Sequence, residues 1–194
     1  MGVSLDGFIA GPGGDIAWSA PDEELHRFHN EQSRELGMHL CGRRLYDVMR
    51  FWETAEERPG VTDYELEFAR IWRDTPKVVF STTLESVEGK ATLVSGRAVE
   101  EVARLKDQPG KPLAVGGAGL AATLIEHDLV DEYRLFVSPV VLGAGTRYLP
   151  PLGAPIELEL VETRTFSSRV VYVRYRRVTR AARSGGRTQP GRGR

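Results

Sequence analysis

Leu113-Ala114-Val115-Gly116-Gly117-Ala118-Gly119-Leu120 is a short apolar run, then a cluster of glycines, then the start of a stretch that stays helix-compatible to Glu126. It reads as strand, tight turn and helix. Glycines let a phosphate come close to the backbone, and a helix start offers free N–H groups and the positive end of its dipole. Residues 117–122 fit G-x-G-x-x-A. The usual NAD pattern also needs an acid about 20 residues on, at the end of the next strand. Here that strand, Glu132 to Pro139, ends in Ser138-Pro139, so the usual pattern is not met. A tight turn without a ligand is the other reading of the glycines.

The same strand-turn-helix unit recurs along the chain. Val3 to Ala10 reads as a strand closed by Gly11-Pro12-Gly13-Gly14, and Ser19-Ala20-Pro21-Asp22 as the start of a helix running to about Leu36, with Leu25, Phe28 and Leu36 on one face. Met38 to Cys41, Lys77 to Phe80 and Ala91 to Val94 read as further strands, and Leu45–Phe51, Asp63–Arg73 and Ala98–Lys106 as helices. Ile156 to Thr165 and Val170 to Val178, parted by Ser167-Ser168, form an antiparallel hairpin pattern. Repeated strand-turn-helix units imply an α/β fold with a mostly parallel sheet and helices on both faces, the hairpin adding an antiparallel edge.

Composition narrows the function. The 194 residues suit one domain, with 41% hydrophobic and 27% charged residues and a net charge of -1. The stretch 179–194 holds five arginines and no acid, which leaves residues 1–178 with 21 basic and 27 acidic residues, a charge of -6. A nucleic-acid partner for residues 1–178 is therefore not expected. The Arg/Gly-rich tail 179–194 is expected to be disordered. The single Cys41 excludes an intrachain disulfide and a cysteine-cluster metal site, and it is expected to be a small buried strand residue. No apolar run reaches the roughly 18 residues of a membrane span, and no signal segment is visible. A cytoplasmic protein without bound metal is the expectation.

In open α/β sheets ligands bind beyond the carboxyl ends of the strands. Gly42-Arg43-Arg44 lies between a strand and a helix, and paired arginines there suit a pyrophosphate. Ser81-Thr82-Thr83 and Ser95-Gly96-Arg97 follow strands, and their hydroxyls and arginine suit a ribose with a 2′-phosphate; with no carboxylate at those strand ends, NADP is favoured over NAD. Reduction of a C=N or C=C bond also needs a proton source, with Asp6, Asp22, Glu23 and Glu24 as candidates. Helical periodicity puts Asp22 roughly 75° from the buried face, nearer than Glu23 or Glu24. An acid in a first helical turn also stabilises the dipole with no part in catalysis. His26 and His29 are expected at the surface.

Taken in order, these turns resemble the dihydrofolate reductase superfamily, and most closely its branch with the reductase domain of riboflavin biosynthesis. Ser4-Leu5-Asp6-Gly7-Phe8-Ile9-Ala10, Gly14-Asp15-Ile16-Ala17-Trp18-Ser19-Ala20-Pro21, Leu40-Cys41-Gly42-Arg43, Val115-Gly116-Gly117-Ala118-Gly119, Leu129-Val130-Asp131-Glu132 and Pro139-Val140-Val141-Leu142-Gly143 carry the likeness, which covers about residues 3–178. It implies a three-layer fold around a central sheet of about eight strands, and a homodimer. It implies NADPH held by Ala10, Ile16, Gly42, Arg43, Arg44, Ser81, Thr82, Ser95, Arg97, Gly116, Gly117, Ala118, Gly119 and Leu120, with a cis peptide in the Gly-Gly turn. Asp6, Trp18, Asp22 and Phe28 would line the substrate pocket, with Asp22 and Asp6 as catalytic acids. The expected reaction is hydride transfer to a pterin-like or aminopyrimidine substrate; the alternative is a non-catalytic NADP- or small-ligand-binding protein.

The chain departs from the riboflavin pattern in places. Phe8 stands where that pattern has Lys, and the H-x-E and P-C-x-x-C motifs of the zinc deaminase are absent. A gapless alignment puts Glu23, not Asp22, at the acid position of dihydrofolate reductases. The family usually has several residues before the opening strand, so that strand is expected to be short here or to begin upstream of the assigned start.

Overall fold

Capping chemistry sets the two longest helices. The computed structural model describes residues 1–178; the tail 179–194, with its expected disorder, lies outside the described residues. Helix α1 (Glu23–Arg34) begins where the Asp22 carboxylate accepts a hydrogen bond from the Leu25 amide at 2.9 Å. Ser19, the first residue of the expected helix start, instead donates its hydroxyl to the Ile16 carbonyl inside a short 3-10 turn, Ala17–Ser19. Helix α3 (Asp63–Asp74) begins with a capping box between Thr62 and Glu65.

Four parallel strands form the first sheet: β3 (Met38–Gly42), β4 (Lys77–Phe80), β5 (Ala91–Val94) and β6 (Leu113–Gly116), in the order β5-β4-β3-β6. Successive residues point to opposite faces. Leu40 and Val78 pack against Val102 and Leu124 of α4 (Ala98–Lys106) and α5 (Ala118–Glu126). Cys41 and Val79 pack on the other face against Tyr46 of α2 (Arg43–Met49) and Trp72 of α3. Burial on both faces explains why these strands read as unbroken apolar runs. Cys41 is 1% exposed, as its strand position led one to expect.

The second sheet has the order β1-β7-β10-β9, from β1 (Gly2–Ser4), β7 (Glu132–Ser138), β9 (Leu158–Thr165) and β10 (Val171–Arg177). β1 runs parallel to β7, and β9 and β10 form the expected antiparallel hairpin. Leu25 and Phe28 of α1 pack against Phe136 and Tyr172 of this sheet and against Phe166 and Val170. The opening strand is broken: after Ser4 the chain turns, with Gly7 at φ 86°, and resumes as β2 (Phe8–Ala10), which pairs with β8 (Thr146–Arg147).

The α/β class, the parallel sheet and the hairpin match the sequence reading. The single sheet of about eight strands does not: among the described residues, two sheets of four strands and one ribbon of two take its place. β1 contributes only three residues of pairing, and a cavity separates β6 from β7. No helix among the described residues is long and apolar enough to cross a membrane.

Of the two expected surface histidines, His26 is buried and His29 is half-buried. His26 is 8% exposed and sits among Trp52, Tyr64 and Phe68. His29 lies 4.1 Å, centroid to centroid, from Phe136. Burial, aided by the Met1 ammonium, pushes the His29 imidazole down to about 3, and burial with Lys77 nearby pushes His39 to about 4. Both are neutral in the folded state, whereas the unfolded chain protonates them near 6.5. Stability from the neutral forms is therefore complete above about pH 6.5 and is lost as pH falls toward 4. Each histidine costs about 2 kcal/mol between pH 6.5 and 5, at roughly 1.4 kcal/mol per pH unit. Urea unfolding at pH 7, 6 and 5 measures this. His29→Gln should flatten the dependence, and an unchanged slope would refute the assignment.

Candidate active site

The carboxyl ends of β3, β4, β5 and β6 carry the four turns singled out in the sequence. After β6 the backbone passes through Gly117 at φ 97°, ψ 121°, a conformation essentially confined to glycine, and enters α5 with no side chain capping its first amides. A side chain at Gly117 would meet the Gly42 amide nitrogen at 3.5 Å and its Cα at 3.6 Å; at Gly116 it would collide with Leu45. The turns after β3 and β6 thus lie in van der Waals contact, and it is the positive φ of Gly117 that calls for glycine. No cis peptide occurs among the described residues, so the expected cis Gly-Gly bond is not found; the positive φ of Gly117 supplies the sharp change of direction.

The turn after β4 is built on Ser81, 9% exposed, whose hydroxyl accepts from the amides of Thr83 (3.2 Å) and Leu84 (3.1 Å). Arg43, at the start of α2, donates to the Thr83 hydroxyl at 2.9 Å. Arg43, Ser81, Thr82 and Thr83 line a concavity of ≈ 370 Å³ with Phe80, Gly96 and Ala98. Arg97 is exposed, at φ 51°, and Ser95 and Arg44 are exposed beside this concavity without lining it. Leu120 packs near Gly42, and Gly119 is exposed on α5.

The acids are spoken for. Asp6 accepts from the Ser4 hydroxyl (2.7 Å) and from the amides of Gly143 (2.7 Å) and Leu142 (3.1 Å). The Ser4 hydroxyl first, then the two amides, hold its carboxyl down to about 2. Asp6 therefore carries a carboxylate at neutral pH in the unliganded chain and ties the 138–143 loop to the turn after β1. Asp22 precedes the helix rather than sitting in its first turn, so the periodicity argument does not apply to it; its carboxylate is engaged as the cap. Glu24 is bound to Ser167 through that residue's amide and hydroxyl.

Of the expected substrate contacts, Trp18 is half-buried and donates its indole N–H to the Asp15 carbonyl at 3.1 Å. Ile16 is 50% exposed on the same loop, and Ala10 pairs with Thr146. Phe28 does not face a pocket: it is 7% exposed inside the core between α1 and the second sheet. A different face of α1, through His29, Gln32, Ser33 and Leu36, lines a cavity of ≈ 730 Å³. The same cavity is lined by Gly116, Gly117 and Ala118 and by Ile9 and Tyr148. Burial pushes the Tyr148 phenol above its ordinary range, so it keeps its proton at neutral pH and can donate a hydrogen bond. Tyr148 and Ile9 escape the sequence reading and carry no signal in it, whereas Thr83 belongs to the Ser81-Thr82-Thr83 turn that the sequence singles out.

The sequence model of the RibD C-terminal domain matches residues 1–172. The uncharacterised protein YyaP of Bacillus subtilis strain 168 is 36% identical over 176 residues, covering 90% of this chain and 91% of that protein. Among solved structures, a Shewanella sp. PV-4 protein named for riboflavin biosynthesis superposes with a TM-score of 0.73 at 22% identity, covering 92% of this chain and 97% of the other. Dihydrofolate reductase of Enterococcus faecalis, complexed with NADP(H), superposes with a TM-score of 0.61 at 15% identity, over 91% and 92% of the two chains.

Proposed function

This chain belongs to the RibD C-terminal domain family, and we propose that it is an NADPH-dependent reductase of a pterin-like or aminopyrimidine substrate. The observation that carries the reading is the convergence of four strand-end turns. Gly42 and Gly117 leave backbone open at the ends of β3 and β6, while Arg43, Ser81, Thr82 and Thr83 line one concavity. The fit is chemical. A pyrophosphate needs close-lying amides, which the uncapped start of α5 provides. A 2′-phosphate needs an arginine and hydroxyls, which Arg43 beside Ser81, Thr82 and Thr83 provides; the Asp47 carboxylate, 3.6 Å from the Arg43 Nε, is the group such a phosphate would compete with.

NADPH supplies a hydride when bound. Gly116, Gly117 and Ala118 hold its pyrophosphate, and Arg43 with Ser81 and Thr82 holds the adenosine phosphate. Ile9 and Tyr148, which line the same cavity as the Gly116 turn, keep water from that region, and the Tyr148 hydroxyl offers a hydrogen bond there. Asp6 fixes the 138–143 loop and gives up no proton.

Titration of the purified chain with NADPH and NADH, followed by tryptophan fluorescence, tests the reading. NADPH should bind at micromolar levels and NADH much more weakly. Arg43→Ala should weaken NADPH by about 10- to 100-fold, the worth of a charge-assisted hydrogen bond of about 1.5–3 kcal/mol. It should leave NADH nearly untouched. Equal losses for both would move Arg43 off the 2′-phosphate, and no response to either nucleotide would overturn the reductase reading.

A further inference from the structure

Arg43 is shared between two groups of its own chain. Its Nη1 donates to the Thr83 hydroxyl at 2.9 Å, and its Nε lies 3.6 Å from Asp47 Oδ2, one helical turn along α2. Among the described residues, Asp47 is the one acid within ion-pair distance of this guanidinium. Arg43, Ser81, Thr82 and Thr83 line the concavity of ≈ 370 Å³, and no acid does. The carboxylate thus stands off the wall, at the Nε edge of an arginine that forms part of it. A guanidinium has five N–H donors. With the Nε edge beside Asp47 and one Nη1 hydrogen on Thr83, the two Nη groups remain for an anion in the concavity.

We propose, resting on the reading that Arg43 takes the 2′-phosphate of NADPH, that Asp47 is a built-in brake on that grip: its carboxylate competes for the guanidinium, opposes the charge of the bound phosphate and so speeds release of the cofactor.

The sign follows from the geometry. Positioning of Arg43 does not depend on Asp47, because Thr83 holds the guanidinium by a direct hydrogen bond and its own hydroxyl lies 3.4 Å from that of Ser81. Helix stability does not call for Asp47 either, since an acid four residues after a base is the poorer order for a helical ion pair. The pair is loose, with side chains 54% and 45% exposed, so an arriving phosphate of nearly two charges prevails over it. Asp47 nevertheless stands where an anion would sit to bind Nε and an Nη together, and it bars that bidentate approach. A phosphate across the two Nη groups lies roughly 6–8 Å from the carboxylate, and like charges at that range weaken binding by about 3- to 10-fold at low salt. A cofactor that must leave after each turnover gains from such a weakening, because most differences in affinity appear in the rate of release.

The test uses the full chain as parent, Asp47→Asn and Asp47→Glu. Each is titrated calorimetrically with NADPH and NADH, and with adenosine 2′-monophosphate and adenosine, two pairs that differ by the one phosphate. Asp47→Asn should tighten NADPH and adenosine 2′-monophosphate by about 3- to 10-fold at about 20 mM salt, and by less than about 2-fold at roughly 0.5 M, where screening acts over a few ångströms. NADH and adenosine should change by less than about 2-fold at either salt concentration, being without the phosphate that Asp47 opposes. Stopped-flow displacement should show the gain as slower release of NADPH. Asp47→Glu keeps the charge and should stay near the parent. A fall in NADPH affinity in Asp47→Asn would overturn the proposal in favour of Asp47 as a positioning residue for Arg43. A gain shared equally by NADPH and NADH would overturn it in favour of a general effect of net charge. Unchanged binding in Asp47→Asn, with a parent that prefers NADPH to NADH, would overturn it and leave the cofactor reading standing. A parent that binds neither nucleotide, or both alike, would overturn the two together.

Discussion

Gly117→Val is expected to lower NADPH affinity by about 100-fold or more, close to 3 kcal/mol. Two costs combine. Valine at φ 97°, ψ 121° is strained by about 1–3 kcal/mol, because its branched Cβ has no low-energy place in that region. The chain can relieve the strain only by rotating the 116–118 backbone, and those amides are the ones proposed to hold the pyrophosphate. The new Cβ itself would sit in ordinary contact, 3.5–3.6 Å from the Gly42 backbone, so the added crowding comes from the two methyl groups beyond it. Stability should fall as well, by roughly 2–12 °C, at about 2–4 °C per kcal/mol for a chain of this size. Calorimetric titration below the variant's melting temperature separates the two effects. A folded Gly117→Val protein that binds NADPH like the parent would remove the turn from the cofactor site.

The glycine turn shows how far a sequence reaches here. Strands β4 and β5 and helix α4 stand at the residues the sequence assigns them, because each is an apolar or amphipathic run with a turn at both ends. The turns at their carboxyl ends are equally legible, and the structure gathers Arg43, Ser81, Thr82 and Gly96 around one concavity from three separate segments. What failed depends on partners far along the chain. Asp6 looks like a free acid until the 142–143 amides, more than 130 residues later, fold onto it. His26 looks exposed until Tyr64 and Phe68 of α3 cross it. β8 has two residues, too few to show alternation, and only its pairing with β2 reveals it. Phe28 was assigned by family likeness to the substrate pocket, while the periodicity that groups it with Leu25 already pointed to the core. The eight-strand count failed because strand number is a property of pairing, and β6 and β7 do not pair.

Glu53→Ala should destabilise the protein by about 3–5 kcal/mol, the usual cost of stranding one member of a buried ion pair. Lys77 opens β4 with its side chain fully buried. Its ammonium lies 3.7 Å from Glu53 Oε1, donates to the Thr75 carbonyl at 3.1 Å and sits 4.6 Å from the centre of the Trp72 ring. The same Glu53 oxygen accepts the Trp72 indole N–H at 2.8 Å. Burial pushes the Lys77 ammonium down, and Glu53 is the first of the groups that hold it up. Alanine therefore removes the counter-charge of a buried cation and orphans an indole donor in one step. The melting temperature should drop by roughly 6–20 °C, at about 2–4 °C per kcal/mol. The double variant Glu53→Gln, Lys77→Met discriminates the cause. Glutamine still accepts from Trp72, and methionine fills the lysine stem's volume without a charge, so most of the loss should be recovered. If the double variant is no more stable than Glu53→Ala, the loss comes from repacking around Trp72 rather than from the unpaired charge. A drop of less than about 2 °C in Glu53→Ala itself would mean that Thr75 and the Trp72 ring hold the ammonium without Glu53.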